Sequence, residues 1–157
     1  MNLKNYLKKW HLEKLKFNAK FLEVELNFQE ADKDAAWELY IELVTRSATQ
    51  AIPNNGGDEN RALTSMYELF SIAREIIRHQ GRKSISFTKI AVVVLNQVIR
   101  PFTTKWHKLS IENEFEDKEK CKEFRKELND LQILLQHYSK MLADMAEVED
   151  ITNLEKL

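Results

Sequence analysis

Glycine and proline occur at only five positions in this chain of 157 residues, and the five positions fall in three places. Pro53 stands with Gly56 and Gly57 in the stretch PNNGGD, Gly81 stands alone, and Pro101 follows. Because glycine and proline are the residues that most often interrupt helices, the long stretches between them can be helical without a break. This spacing predicts a few long helices rather than many short strands.

Length and composition are those of one folded domain. Charged residues make up 31% of the chain, hydrophobic residues make up 43%, and the net charge is −1, so the whole chain has no general attraction to nucleic acid or membrane. The single cysteine, Cys121, excludes an internal disulfide framework and suits a reducing compartment. The N-terminal stretch MNLKNYLKKW lacks the apolar segment of a secretory signal. We therefore expect a cytoplasmic protein.

Residues 90–99 form the longest apolar run, and a lysine and an arginine bracket it. The run is shorter than the ~20 apolar residues that cross a membrane, so we expect no membrane span. Three consecutive valines favour a strand, but the apolar positions recur at helical spacing. We predict a central buried helix that begins at Ser84 or Ser86 and ends or kinks near Pro101. The inward positions would be Phe87, Ile90, Ala91, Val94, Leu95, Val98 and Phe102.

Two further helices flank the loop PNNGGD and are predicted to form an antiparallel hairpin. The first begins near Asp32 and stops at Pro53, and the second begins at an Asp58 N-cap and ends at a Gly81 C-cap. In the first helix, the residues predicted to face the core are Ala36, Tyr40, Leu43, Ser47 and Ala48, and Trp37, Ile41 and Val44 are predicted to lie beside them on the same face. In the second helix, the residues predicted to face the core are Leu63, Met66, Tyr67, Phe70, Ala73, Ile76 and Ile77.

The last long segment carries the clearest periodic signal, a heptad seam over roughly thirty residues. A second apolar stripe beside the seam indicates more than one neighbouring helix, which suits a bundle. Because Cys121 falls on the seam, we expect a buried, inert thiol rather than a nucleophile. The seam is Cys121, Phe124, Leu128, Leu131, Leu135, Tyr138, Leu142 and Met145, and the second stripe is Leu134, Met141 and Val148.

The N-terminal 30 residues differ from the rest. Leu3, Tyr6, Leu7 and Trp10 predict a short amphipathic helix, and the alternating stretch FLEVELNF (residues 21–28) has strand periodicity. This stretch is an extended arm, an edge strand for another protomer, or a helix. The prediction is a single all-α domain over 1–157: an N-terminal helix with a short extended arm in 1–30, a bundle of about four main helices in 31–148, and a frayed tail in 149–157.

Several classes of chemistry lack their sequence signals. GRKS at residues 81–84 lacks the preceding glycine and spacing of a phosphate-binding P-loop. No glutamate and histidine stand at the spacing of a di-iron bundle, and a lone cysteine gives no zinc cluster. We therefore expect no metal and no small-molecule cofactor.

Charge is segregated along the chain. Between Glu75 and Glu112 there is no acidic residue, but there are seven basic ones. Such a section could bind nucleic-acid phosphates or an acidic partner, or its charges could pair internally with acidic neighbouring helices. Besides Arg100, the candidate binding residues are Arg78, Arg82, Lys83, Lys89, Lys105 and Lys108.

Two arginine–histidine spacings lie in or next to this section. Arg74 and His79 are separated by four residues, and Arg100 and His107 by six. In this motif the chain resembles the HEPN group of all-α ribonucleases. The resemblance implies a dimer with a shared cleft, in which histidine transfers a proton and arginine steadies the RNA phosphate without a metal. Arg100 and His107 are seven apart, so on a continuous helix they would share a face.

The sequence favours a non-enzymatic interaction module that assembles with itself or with a larger protein. Trp10 and Trp106 are candidate anchors for a partner, provided that they are exposed. Two alternatives stay open: a HEPN-like ribonuclease with Arg100 and His107 as catalytic pair, and a helical protein that binds RNA or DNA without cleaving it.

Overall fold

The structure is a computed structural model that describes residues 1–46 and 59–152, and these ranges form an all-α fold without a strand. The predicted bundle of four main helices is confirmed: they are α3, α4, the joined α5 and α6, and α7. The loop PNNGGD, the Asp58 cap, the inward Ser47 and Ala48 and the tail from 153 lie outside the described residues. The helices are α1 (Leu3–Lys9), α2 (Ala19–Leu22), α3 (Glu30–Thr45), α4 (Glu59–Gln80), α5 (Ile85–Val94), α6 (Arg100–Ile111) and α7 (Lys118–Ala146).

Helices α3 and α4 run antiparallel, as predicted. Arg46 follows the end of α3, and its Nη1 lies 2.8 Å from the carboxylate of Glu68 in the first half of α4. Gly81 follows α4 with a φ of +76°, the left-handed conformation that favours glycine. The chain reverses there through a short 3-10 turn, Gly81–Ser84, and enters α5.

Asp32 joins the start of α3 to the start of α5. Its side chain is fully buried, and its two oxygens accept hydrogen bonds of 2.8 Å from the backbone N–H groups of Gln29 and Phe87. The Ser84 hydroxyl instead donates to the carbonyl of Gly81. Ser84 is the N-cap residue of α5, as predicted, but its side chain makes no capping hydrogen bond. The buried aspartate of another helix accepts from the first turn of α5 in its place.

The central helix does not end at Pro101. Residues Leu95–Ile99 form a π turn, in which the N–H of Arg100 donates to the carbonyl of Leu95. A proline in a regular helix would crowd the carbonyl four residues earlier, and the wider turn relieves that crowding. Helix α6 therefore continues from α5. Of the predicted inward residues, Leu95 and Val98 are half-buried and the other five are buried.

One stretch within the helical run Glu59–Ile111 is, by length and composition alone, apolar enough to cross a membrane. The core helix of a soluble protein meets the same criterion, and 33% of that stretch is buried here. Helix α5 within this run buries Phe87, Ile90, Ala91 and Val94 in the common core. The absence of a membrane span stays a prediction.

Helix α7 carries the predicted seam, which is buried from Phe124 to Met145. Cys121, at the start of the seam, is half-buried, and its Sγ donates to the carbonyl of Phe115. Burial and the nearby carboxylate of Glu59 raise the pKa of this thiol. The predicted burial of Cys121 is therefore only partial, and its inertness stays a prediction, although a raised pKa lowers the thiolate fraction at neutral pH.

The N-terminal segment packs on the bundle and pairs with itself. Tyr6 of α1 is buried and donates its hydroxyl to Asp144 of α7 at 2.9 Å. The stretch FLEVELNF begins inside α2, and its later part is extended. The N–H of Leu3 donates to Val24 and that of Leu26 donates to Met1, around a single antiparallel bridge. The partner of the arm is therefore the beginning of the same chain.

The first residues of the tail are held in place. The hydroxyl of Tyr40 on α3 donates to Asp150 at 2.9 Å and accepts from the N–H of Ile151. Residues 150–151, predicted to fray, are thus tied to the bundle by a buried tyrosine. Hydrogen bonds from Thr152 to the Asp150 carboxylate continue this contact.

Candidate functional site

A cleft of about 680 Å³ lies between α4 and α6. Each helix lines the cleft mainly with residues that are three or four positions apart in the chain, which is the spacing of residues on one helix face. Buried side chains such as Leu63, Phe70 and Thr103 lie on the core side, and polar side chains form the rim. The α4 residues are Asn60, Leu63, Thr64, Tyr67, Glu68, Phe70, Ser71 and Arg74, and the α6 residues are Arg100, Thr103, Thr104, His107 and Ser110.

The cleft brings together three of the four motif residues. Arg100 and His107 lie seven residues apart on the same face of α6, and Arg74 lies on α4. His79, the fourth, does not line the cleft. Pro101 does not separate Arg100 from His107, because α6 is continuous through it. The two residues named as a catalytic pair therefore share one surface with an additional arginine.

Arg100 is held by contacts that leave its outer nitrogens free. Its Nε donates to the Asn96 side chain at 3.0 Å, and its guanidinium carbon lies 4.5 Å from the centre of the Phe70 ring. The two terminal nitrogens have no hydrogen-bond partner in the described part of the chain. An arginine held in this way presents paired donors, the arrangement that suits a phosphate or carboxylate.

His107 packs against an aromatic side chain of the cleft. The His107 and Tyr67 ring centres are 5.8 Å apart and the rings are tilted by 52°. Tyr67 also contacts Phe70, with ring centres 6.0 Å apart. Tyr67 is nevertheless 50% exposed, so its predicted place on the inward face of α4 is wrong.

The charges of the cleft are predominantly positive. Arg74 and Arg100 are exposed, and neither has an ion pair among the described residues. Glu68 is the one acidic side chain among the described lining residues, and Arg46 binds it from the side of α3. Arg46 also binds Glu42, so Glu68 is engaged by a shared partner on the side of α3 and not by the arginines of the cleft. Arg74 and Arg100 therefore remain available to an anion.

All six predicted binding residues outside the motifs are exposed and lie away from the cleft lining, and five of them have no ion pair among the described residues. These five spread over the end of α4, the 3-10 turn, α5 and α6. One of the five, Lys89, places its Nζ 4.5 Å from the centre of the Phe21 ring. The five are Arg78, Arg82, Lys83, Lys89 and Lys108.

Lys105, the sixth, behaves differently. Its Nζ binds the carboxylates of Glu123 and Glu127 of α7 at 2.9 and 2.6 Å. These contacts raise the pKa of Lys105, and hydrogen bonds from Lys105 and Lys120 lower the pKa of Glu123. Lys105 is thus engaged by internal pairing and is not a free binding residue.

The two candidate tryptophan anchors are not free surface residues. Trp106 is fully buried, and its Nε1 donates to Glu127. Its ring stacks on Phe115 and meets the edge of Phe124. The prediction of Trp106 as a partner anchor is therefore wrong, because this side of α6 faces α7. Trp10 is half-buried against the core.

Sequence reasoning missed most of the α4 side of the cleft. The available signal was a stripe of polar and amphipathic side chains at helical spacing, opposite the apolar face of α4. The sequence singles out Arg74 only as part of a motif with His79. The stripe is Asn60, Thr64, Tyr67, Ser71 and Arg74.

No three histidine, cysteine, aspartate or glutamate side chains in the described ranges lie together so as to hold a metal ion. Comparison with protein families, with curated proteins and with solved structures finds no match for this chain. The cleft is therefore the feature from which a function can be inferred.

Proposed function

We propose that this protein is a non-enzymatic interaction module that binds RNA through the α4–α6 cleft. The observation that supports the proposal is the pair of unpaired arginines, Arg74 and Arg100, on a cleft whose only described carboxylate, Glu68, is already bound by Arg46. Phosphate contacts from arginine provide much of the affinity of proteins for nucleic acids. The helical bundle is then the rigid frame that holds the two arginines on neighbouring helices.

The neutral part of the cleft favours a phosphodiester chain over an acidic protein segment. Thr64 and Thr104 are exposed on its two sides, and their hydroxyls have no partner among the described residues. Hydroxyl side chains commonly bind phosphate and sugar oxygens alongside arginine. Arg78 follows Arg74 by four residues on α4, so it extends the positive rim beyond the cleft.

The proposal predicts a loss of affinity when the cleft arginines are neutralised. The double variant Arg74→Gln/Arg100→Gln should bind a labelled mixed-sequence RNA roughly 30-fold more weakly, at about 1 kcal/mol per lost contact. Fluorescence anisotropy at a fixed, moderate salt concentration measures this change. Both arginines are exposed, so the variant should keep the circular dichroism spectrum of the original chain.

The double variant Lys4→Gln/Lys8→Gln supplies the matched control, because it also removes two cations, and both lysines are exposed on α1 and do not line the cleft. Its affinity for RNA should stay within about twofold of the original, since surface charges far from a site act weakly. Equal losses in the control and in Arg74→Gln/Arg100→Gln would indicate non-specific attraction. Unchanged affinity in the arginine variant would contradict a cleft that binds RNA.

A metal-independent ribonuclease is the second candidate, and one observation favours it. Arg100 and His107 line the same cleft and lie about 10 Å apart along the axis of α6. A histidine can transfer a proton to or from a ribose oxygen while an arginine binds the neighbouring phosphate. This is also the arrangement of residue types that the resemblance to the HEPN ribonucleases implies.

The ribonuclease candidate predicts cleavage that persists in a metal chelator and falls at least 100-fold in His107→Ala. Gel analysis of a labelled RNA measures the cleavage rate. His79→Ala is the control, because His79 is exposed and does not line the cleft. Equal cleavage by the two variants, or none by the original chain, would reject this candidate.

A further inference from the structure

We propose that Tyr67 stacks on an unpaired base, so that the cleft binds single-stranded nucleic acid in preference to a duplex. This inference rests on the proposed function and specifies its ligand. An exposed aromatic ring beside arginines is the combination with which proteins bind single strands without reading their sequence. A duplex offers the same phosphates, but its bases are already stacked on one another.

Tyr67 differs from the other tyrosines of the chain in its exposure. Tyr6, Tyr40 and Tyr138 are buried, whereas half of the Tyr67 surface is open to solvent. The ring contacts both His107 and Phe70, with ring centres 5.8 and 6.0 Å away. A ring packed in this way loses little conformational freedom when a base stacks on its open surface.

The surroundings of Tyr67 also differ from those of the other exposed aromatic side chains that the structure describes. Trp37 is 44% exposed on α3, where its ring packs beside Tyr40 and a glutamate follows it in the chain. Phe21 already has the ammonium group of Lys89 over its ring. Of these exposed rings, Tyr67 is the one that shares a cleft with two unpaired arginines.

The arrangement of the cleft places stacking and charge on adjacent positions. Tyr67 and Arg74 are seven residues apart on one face of α4, with Arg100 on the facing helix. A single strand can turn a base toward the tyrosine while its phosphates meet the arginines. The exposed hydroxyls of Thr64 and Thr104 lie on the same surface and can bind sugar or phosphate oxygens.

The test compares Tyr67→Leu with Tyr67→Phe, which keeps the ring. The probes are a fluorescent single-stranded RNA of about 12 nucleotides, the DNA of the same sequence, and the RNA duplex of that sequence, within the site sizes of single-strand binders. Tyr67→Leu should weaken single-strand binding about tenfold and leave duplex binding unchanged. The affinity of Tyr67→Phe for single strands should stay within about twofold of that of the original chain. Comparison of the RNA strand with the DNA strand shows which of the two nucleic acids the cleft binds.

Trp37→Leu is the control for loss of an exposed aromatic outside the cleft, and it should bind like the original chain. If Tyr67→Leu binds single strands normally while Arg74→Gln/Arg100→Gln does not, the inference is wrong and the proposed function stands. The inference is also wrong if the original chain prefers the duplex. If the original chain binds no nucleic acid even at low salt, both proposals fail.

Discussion

Replacement of Asp32 by alanine should lower the free energy of unfolding by about 3 kcal/mol and the melting temperature by roughly 10 °C. The carboxylate is fully buried and accepts hydrogen bonds from the N–H groups of Gln29 and Phe87. Its removal leaves a helix-start donor unsatisfied in α3 and another in α5. Thermal and urea unfolding followed by circular dichroism measure the loss.

Asp34→Ala is the matched control, since Asp34 is an exposed aspartate of the same helix. It should change the free energy of unfolding by less than about 0.5 kcal/mol. The loss of unfolding free energy in Asp32→Asn should fall between those of Asp32→Ala and Asp34→Ala, because the amide keeps only one accepting oxygen. If Asp32→Ala unfolds like Asp34→Ala, the carboxylate does not cap α5 as the structure places it.

Replacement of Trp106 by alanine is expected to cost more, about 4 kcal/mol. The ring is fully buried, stacks on Phe115 and meets the edge of Phe124, and its Nε1 donates to Glu127. The variant leaves a cavity between α6 and α7 and removes the donor to the carboxylate. The melting temperature should fall by more than 10 °C in a calorimetric scan.

Trp37→Ala is the control that distinguishes the effect of losing a buried ring from the effect of losing any tryptophan. The Trp37 side chain is 44% exposed, so its replacement should cost only about 1 kcal/mol. The loss of unfolding free energy in Trp106→Phe should lie between the losses in Trp106→Ala and Trp37→Ala, because phenylalanine keeps an aromatic ring but lacks the indole N–H. Equal melting temperatures for Trp106→Ala and Trp37→Ala would mean that Trp106 is exposed, as a partner anchor would be.

Periodicity in the sequence predicted the helices and most of their buried faces. The alternating steps of three and four from Phe124 to Met145 identify the inward side of α7, because such a seam has one stable orientation in a bundle. Gly81 identified the end of α4, because a left-handed residue is needed there. These features depend on residues close to one another in the chain.

The features that sequence reasoning missed depend on contacts between distant segments. Asp32 and Phe87 are 55 residues apart, and no local pattern links an aspartate in α3 to the first turn of α5. Trp106 lies among exposed residues in the chain, and only the position of α7 shows that its side of α6 is covered. Pro101 suggested an end to the helix, and the π turn before it allows the helix to continue.

The sequence predicted only part of the candidate site, because other parts of the site depend on contacts between distant segments. Arg100 and His107 are on one helix, so their spacing alone predicted a shared face. Their proximity to Tyr67 and Arg74 required the packing of α6 against α4. The engagement of Lys105 by Glu123 and Glu127 likewise depended on the neighbouring helix α7.

The salt dependence of RNA binding tests the central claim most directly. The logarithm of the affinity falls linearly with the logarithm of the salt concentration, with a slope of about 0.7 for each phosphate that the protein contacts on a single strand. If Arg74 and Arg100 contact one phosphate each, the double variant Arg74→Gln/Arg100→Gln should show a slope smaller by about 1.4 than that of the original chain. An unchanged slope, or no binding by the original chain at low salt, would contradict the assignment of this cleft as an RNA-binding surface.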